Sequence, residues 1–265
     1  MGKRASPDDV PRAVHTSGIV AVLGENQVTL FFTGPRHAGE NLSAVLAHRA
    51  KALPPPMQMC DGLSHNVSSE FKTILGNCLA HGRRKLVDIA DNFPFACRHV
   101  IDVLGQVYDH DAHCREQKLS SEARLLHHQV MSGPLMEDLK AWMTAQLEGH
   151  LVEPNSGLGN AFTYLIKRWD ALTLFLRQAG APLDNNVCER ALKKAILHRK
   201  NSYFYKTQNG AIVGDTYMSL IYTCQSSGAN PFDYLQALQT HVDQVKRQPQ
   251  MWLPWNYRAN FVNTT

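Results

Sequence analysis

Asp184, Asn185, Asn186, Glu189, Arg190, Lys193, Lys194, Arg199 and Lys200 crowd into one stretch, LDNNVCERALKKAILHRK, at residues 183–200. Asp184 is a natural N-cap, and Val187, Ala191, Leu192 and Ile196 supply an apolar stripe, so the stretch is expected to form an amphipathic helix. Asn185 and Asn186 fall in its first turn, and Glu189 shares a helical face with both. A carboxylate ringed by bases suits a divalent metal and a phosphate backbone together. The same residues also describe a capped surface helix in which Glu189 pairs with Lys193.

Other groups of the same chemistry lie upstream. The run MQMC stops at Asp61-Gly62 and is expected to be a short buried strand that delivers Asp61 to its carboxyl end, where sites on α/β sheets lie. His81, Arg83, Arg84 and Lys85 follow a short strand expected around Asn77 to Ala80. They read equally as a phosphate contact and as a solvated helix start. His110, His113, Cys114, His127 and His128 match no structural zinc spacing and read as scattered helix residues. Tyr203, Phe204 and Tyr205, ahead of Lys206, Gln208 and Asn209, fit stacking on unpaired nucleotides as well as plain core packing.

The elements that hold these groups follow from pattern. Residues 1–16 are a polar lead with Pro7 and Pro11. GIVAVLG and QVTLFFTG, joined at Gly24-Glu25-Asn26, predict a β-hairpin. Asn41 is expected to cap a helix NLSAVLAHRAKAL that ends at Pro54-Pro55-Pro56. From Cys97 to about Gly180 the apolar spacing is helical throughout, broken at Gly133-Pro134, at residues 153–157 and at Gly180-Ala181-Pro182. Beyond the charged stretch, a helix from about Ala211 stops at Gly228, Pro231 opens another, and a tail with Trp252 and Trp255 docks on the domain.

The division expected is a lead (1–16), a first α/β part (17–95), a helical insertion (96–182), a second α/β part with the charged helix (183–247) and a tail (248–265). With 265 residues the chain can bury a substantial core. A net charge of +4 permits nucleic-acid binding without demanding it, so local clusters carry that case. No apolar run reaches the roughly 18 residues that span a bilayer, and the N-terminus lacks the apolar segment of a secretory signal. A cytoplasmic location is therefore expected. The six cysteines contain no CxxC pair and read as reduced thiols.

Taken together, GIVAVLG, LFFTGPRHAGENL, MQMCD, NCLAHGRRK, EPNSGLG, APLDNNVCERALKKAILHRKNS, FYKTQNGA, NPFDYL and PWNYR resemble the transposases of the IS66 insertion-sequence family, over residues 17 to 258. The resemblance implies an incomplete ribonuclease-H-like core of the DDE transposase type, α/β with a large helical insertion and mostly α-helical overall. It implies metal-dependent DNA cleavage and strand transfer at element ends. Of the three acids that bind metal in that family, Asp61 corresponds to the second and Glu189 to the third. The ion implied is Mg²⁺, with Mn²⁺ as a substitute. Asn185 and Asn186 would orient Glu189 or touch DNA, while His81, Arg83, Arg84, Arg190, Lys193, Lys194, Arg199 and Lys200 would neutralise phosphates.

The partners implied are insertion-sequence ends and either a second copy of the chain or a full-length transposase, in a nucleoid-associated setting. The family's first Asp sits on a strand upstream of the hairpin. Here the only earlier acids are Asp8 and Asp9, in the polar lead. The family's zinc-binding N-terminal module has no counterpart in the sequence. The chain thus resembles the C-terminal portion of such a transposase. Two alternatives follow: a catalytically inactive remnant that binds only DNA or a full-length partner, and a helical interaction protein in which Asp61 and Glu189 are ordinary surface acids.

Overall fold

A computed structural model describes residues 14–201 and 205–262. Asp8, Asp9, Tyr203 and Phe204 lie outside the described residues. In chain order the elements are β1 (His15–Leu23), β2 (Asn26–Gly34), α1 (Ala38–Leu46), β3 (Met57–Cys60), β4 (Ile74–Asn77), α2 (Leu79–Val87), α3 (Pro94–Glu116), α4 (Ser121–Met131) and α5 (Gly133–Glu148). They continue with α6 (Gly157–Lys167), α7 (Trp169–Leu172), α8 (Asn186–Asn201), α9 (Gln208–Ser226), α10 (Pro231–Thr240), α11 (Val242–Arg247) and α12 (Ala259–Val262). The chain is mostly helical with two small sheets, and it divides into two compact units. One unit comprises residues 1–48 and 186–265, the other residues 49–185. No helix among the described residues is long and apolar enough to cross a membrane.

In the first unit the expected hairpin is present. β1 and β2 pair antiparallel in a register that sets Gly18 against Phe31 and Leu23 against Asn26. Gly24 turns the chain at φ +60°, a conformation that suits glycine. The outward N–H groups of β2 meet side chains of α9. Thr29, Phe31 and Thr33 donate in turn to Thr223, Ser219 and Asp215. The spacing explains the fit, since four helical residues rise about 6 Å and two strand residues nearly 7 Å.

Thr207 caps α9, its hydroxyl accepting from the Gly210 N–H at 3.0 Å. Gly228 ends the helix region at φ +68°. Asn230 caps α10, and Pro231 occupies the first turn as expected. The tail does dock, because Trp252 and Tyr257 are buried with Cys224, Tyr234 and Ala237, and the Tyr234 hydroxyl donates to the Trp252 carbonyl at 2.6 Å. Two expectations shift. α1 starts at Ala38 and ends at Leu46, because His37 takes the N-cap position and its N–H donates to the Glu40 carboxylate at 2.8 Å. Asn41 instead turns inward and donates to the Ser17 hydroxyl at 2.8 Å.

The second unit carries β3 and β4 as a parallel pair, with Met57 opposite Ile74 and Cys60 opposite Asn77. β4 begins three residues before the expected strand and ends at Asn77, where that strand was to start, and Leu79 already belongs to α2. The helical run predicted from Cys97 onward forms α3 to α7 around a core that includes Leu86, Val100, Leu104, Met136, Leu139, Met143, Phe162 and Phe175. Ser120 and Ser156 cap α4 and α6, accepting from Ala123 and Gly159 N–H groups at 3.2 and 3.0 Å. The Ser156 cap fixes the break expected at residues 153–157, and the Ser120 cap sets a helix start between α3 and α4.

The histidine group lies between α3 and α4 and is organised by a buried acid that pattern alone did not single out. Asp111 accepts from Arg124, Arg115 and His128, the last at 3.2 Å. His128 and His110 each place Nδ1 at 3.0 Å from the Ser132 hydroxyl. His127 stacks on His113 with ring centroids 5.4 Å apart.

Candidate functional site

The expected site residues fall on both units. Asp61, His81, Arg83, Arg84 and Asn185 belong to the helical unit, and Asn186, Glu189, Arg190, Lys193, Lys194, Arg199 and Lys200 to the hairpin unit.

In the helical unit Asp61 stands, half-buried, at the carboxyl end of β3, as the sequence predicts, although of that strand only Cys60 is buried and Met57 is exposed. Asn66 donates to its Oδ1, and the Leu63 N–H approaches the same oxygen at 3.4 Å. Among the described residues Oδ2 has no hydrogen-bond partner, so that oxygen stays available. The adjacent strand β4 runs directly into α2. The Cys78 N–H donates to the Cys60 carbonyl at 2.9 Å, and Leu79 N–H donates to the Leu183 carbonyl at 3.0 Å. The second bond brings the returning chain to the ends of the two strands. Asn185 N–H then meets Cys78 Sγ at 3.3 Å, so residues 61, 78 and 185 gather at one end of the small sheet.

Burial pushes the Cys60 thiol up to about 11, with the Asp61 and Cys78 charges adding. Arg83, Arg84 and Lys85 are exposed along α2, whereas His81 is half-buried. The basic cluster therefore lies within the helix, Arg83, Arg84 and Lys85 fanning around its exposed side.

Sequence reading missed the partners that close this region on its other side. Arg168 donates Nε and Nη2 to the Gly62 carbonyl at 3.4 and 3.2 Å. Its guanidinium carbon lies 4.2 Å from the ring centre of Tyr164, and Lys85 Nζ lies 4.4 Å from the same centre. The only local signal is the four-residue spacing of Tyr164 and Arg168, which puts them on one side of the chain's helical path.

In the hairpin unit α8 begins at Asn186, two residues beyond Asp184, the N-cap expected. Its inner face is built on small residues, Ala191 and Ala195, both buried against the hairpin near Phe31. The Cys188 thiol donates to the Gly18 carbonyl at 3.2 Å. Val187, expected on the apolar stripe, is 40% exposed, because the close approach of Cys188 and Ala191 to β1 turns the helix away from it. Glu189 and Asn186 are half-buried in the first turn, and Arg190, Lys193, Lys194 and Lys200 are exposed.

Two of the bases are held in place. Arg199 Nη1 donates to the Thr16 hydroxyl at 2.8 Å, and Lys194 Nζ sits 5.0 Å from the Tyr222 ring centre. Tyr205 packs on α9 at Gly214, which favours the packing reading for that aromatic.

The family model described as Transposase IS66 family matches residues 14–212. The chain is similar to the uncharacterized protein y4jD of Sinorhizobium fredii, 32% identical over 193 residues that cover 71% of this chain and 37% of the relative. It is similar also to the uncharacterized protein y4hP of the same organism, 29% identical over 198 residues that cover 68% of this chain and 35% of the relative. The chain thus spans little more than a third of the length of these curated relatives. No solved structure matches it.

Proposed function

Because the chain belongs to the IS66 transposase family, we propose that it acts on the DNA ends of an insertion element by metal-dependent phosphodiester cleavage and strand transfer, on a ribonuclease-H-like core. Asp61 and Glu189 are the metal ligands in this reading, each presented by its own unit. The observation that carries it is the seat of Asp61, a carboxylate at the carboxyl end of a parallel strand with one oxygen fixed and the other available. Carboxylate oxygens suit Mg²⁺, with Mn²⁺ as a substitute. Ions held by Asp61 and Glu189 would activate the attacking oxygen and stabilise the leaving one.

The residues of the chain do the rest. Asn185 and Asn186 orient Glu189 or touch DNA. His81, Arg83 and Arg84 on α2, with Arg190, Lys193, Lys194, Arg199 and Lys200 on α8, neutralise phosphates and set position rather than sequence. A second copy of the chain or a longer transposase completes the assembly.

A second reading has its own observation. Neither β1 nor β2 carries an acidic residue, so among the described strands only β3 delivers a carboxylate. A chain that binds DNA without cutting it fits that fact. A nicking assay on labelled element-end DNA with Mg²⁺ or Mn²⁺ separates the two. Nicking that Asp61→Asn and Glu189→Gln each abolish supports the first reading, and silence with retained DNA binding supports the second.

A further inference from the structure

The seat of Asp61 has a neighbour whose charges are left unanswered. Lys85 and Arg168 both stand against the ring of Tyr164, at 4.4 and 4.2 Å from its centre. Among the described residues neither forms an ion pair with a carboxylate, although Asp111, Asp102 and their partners elsewhere in this unit do. Arg168 directs Nε and Nη2 at the Gly62 carbonyl, which leaves Nη1 of the guanidinium for another acceptor. Two cations held against one aromatic ring, one of them anchored to the backbone beside an acid, suit an anion with several oxygens.

Glycine at 62 is part of the arrangement. A Cβ there would lie 2.5 Å from Arg168 Nε and 2.7 Å from the Tyr164 hydroxyl, so no other residue allows the approach.

We propose that Lys85, Tyr164 and Arg168 form a phosphate-binding shelf beside Asp61, which seats a backbone phosphate of the DNA strand next to the one under attack. Arg168 also acts as a positioning residue, because its hold on Gly62 fixes the turn that carries Asp61. The shelf rests on the reading of Asp61 as a metal ligand at the cleavage site. Lys85 is exposed, and among the described residues it forms no hydrogen bond or ion pair with Asp61 or Gly62, so its replacement tests phosphate binding alone.

The test is fluorescence anisotropy of a labelled DNA duplex over a series of KCl concentrations in EDTA, on the full chain and on Lys85→Gln, Arg168→Gln and Arg168→Lys, with circular dichroism as a check of the fold. Each neutral variant is expected to reduce the slope of log affinity against log salt by about 0.9, the value for one released phosphate contact. Arg168→Lys is expected to keep the slope while lowering Mn²⁺-dependent nicking by about 10- to 100-fold, because an ammonium cannot reproduce the two-pronged bond to Gly62. Unchanged slopes in both neutral variants with a native fold would overturn the shelf. Reduced slopes in a chain that never nicks DNA would leave the shelf standing and sink the cleavage reading instead. Absence of DNA binding by the unmodified chain would overturn both.

Discussion

Thr33 gives Asp215 two hydrogen bonds, one from its backbone N–H and one from its hydroxyl at 2.9 Å. Burial raises the Asp215 carboxyl, and the two bonds from Thr33 only partly oppose it. The fold therefore prefers the protonated acid more than the unfolded chain does. This residue's contribution to stability is present in acid and is lost as pH rises through the raised pKa.

Asp215→Asn is accordingly expected to leave stability at neutral pH within about 1 kcal/mol, since one carbonyl oxygen still accepts from Thr33. Asp215→Ala strands the Thr33 N–H and is expected to cost about 1 to 3 kcal/mol. Urea unfolding followed by circular dichroism measures both, and equal losses for the two variants would contradict this account.

The helical unit is expected to be acid-sensitive in the opposite sense. Burial lowers His127 and His110, and the charges of neighbouring histidines lower them further. Burial pushes Asp111 up, but the hydrogen bonds of His128 and Arg124 and the charges of Arg124 and Arg115 together hold it below its ordinary value. For all three groups the folded state binds fewer protons than the unfolded chain. Stability should therefore fall as pH drops below about 6.5, where free histidine gains its proton, and fall again as Asp111 is protonated. Melting temperatures at pH 7.5 and 5.5 check this, and His127→Gln should narrow the difference between them.

Two glycine substitutions should separate soft from hard obstruction. An alanine Cβ at Gly62 meets the side chains of Arg168 and Tyr164, which can swing aside at a cost of about 1 to 2 kcal/mol. At Gly159 it meets backbone oxygens of Glu153 and Pro154, the latter at 2.6 Å, and these cannot move without undoing the α6 cap. Gly159→Ala is expected to lose about 3 kcal/mol or more, so its unfolding midpoint should lie well below that of Gly62→Ala.

All six cysteines are free thiols, five buried and Cys188 half-buried. Burial pushes Cys60, Cys188 and Cys224 up to about 11, so little thiolate forms at pH 8. A disulfide-exchange reagent at pH 8 should react slowly with the folded chain and promptly with six thiols in denaturant. Rapid reaction of Cys188 in the native state would show that α8 lifts from β1.

What could be read from the sequence followed local rules. The hairpin was legible because two β-branched runs flank a glycine turn, and the seat of Asp61 because MQMC is too short and apolar to be anything but a strand. Pro231 and Gly228 marked their helix ends by backbone chemistry alone. The misplacements share a cause in tertiary contacts. Asn41 has the side chain of a cap, yet Ser17 on β1 draws it inward. The strand expected at 77–80 was displaced because ILGN contains a glycine and an asparagine that suggest a turn, while pairing with β3 supplies the missing preference. Val187 fell off the apolar stripe because a thiol and two alanines set the phase of α8. Arg168 was invisible for a simpler reason, since its partner Gly62 lies 106 residues away and no periodicity joins them.

The row of Thr223, Ser219 and Asp215 along β2 has a further consequence for how the hairpin can associate. A strand with open N–H groups invites a neighbour, and here those at Thr29, Phe31 and Thr33 are already answered by a helix. The small sheet is therefore sealed along one margin. Any strand that lengthens it, from this chain or another, has to be admitted at β1, and α8 stands at that threshold through the bond from Cys188 to Gly18.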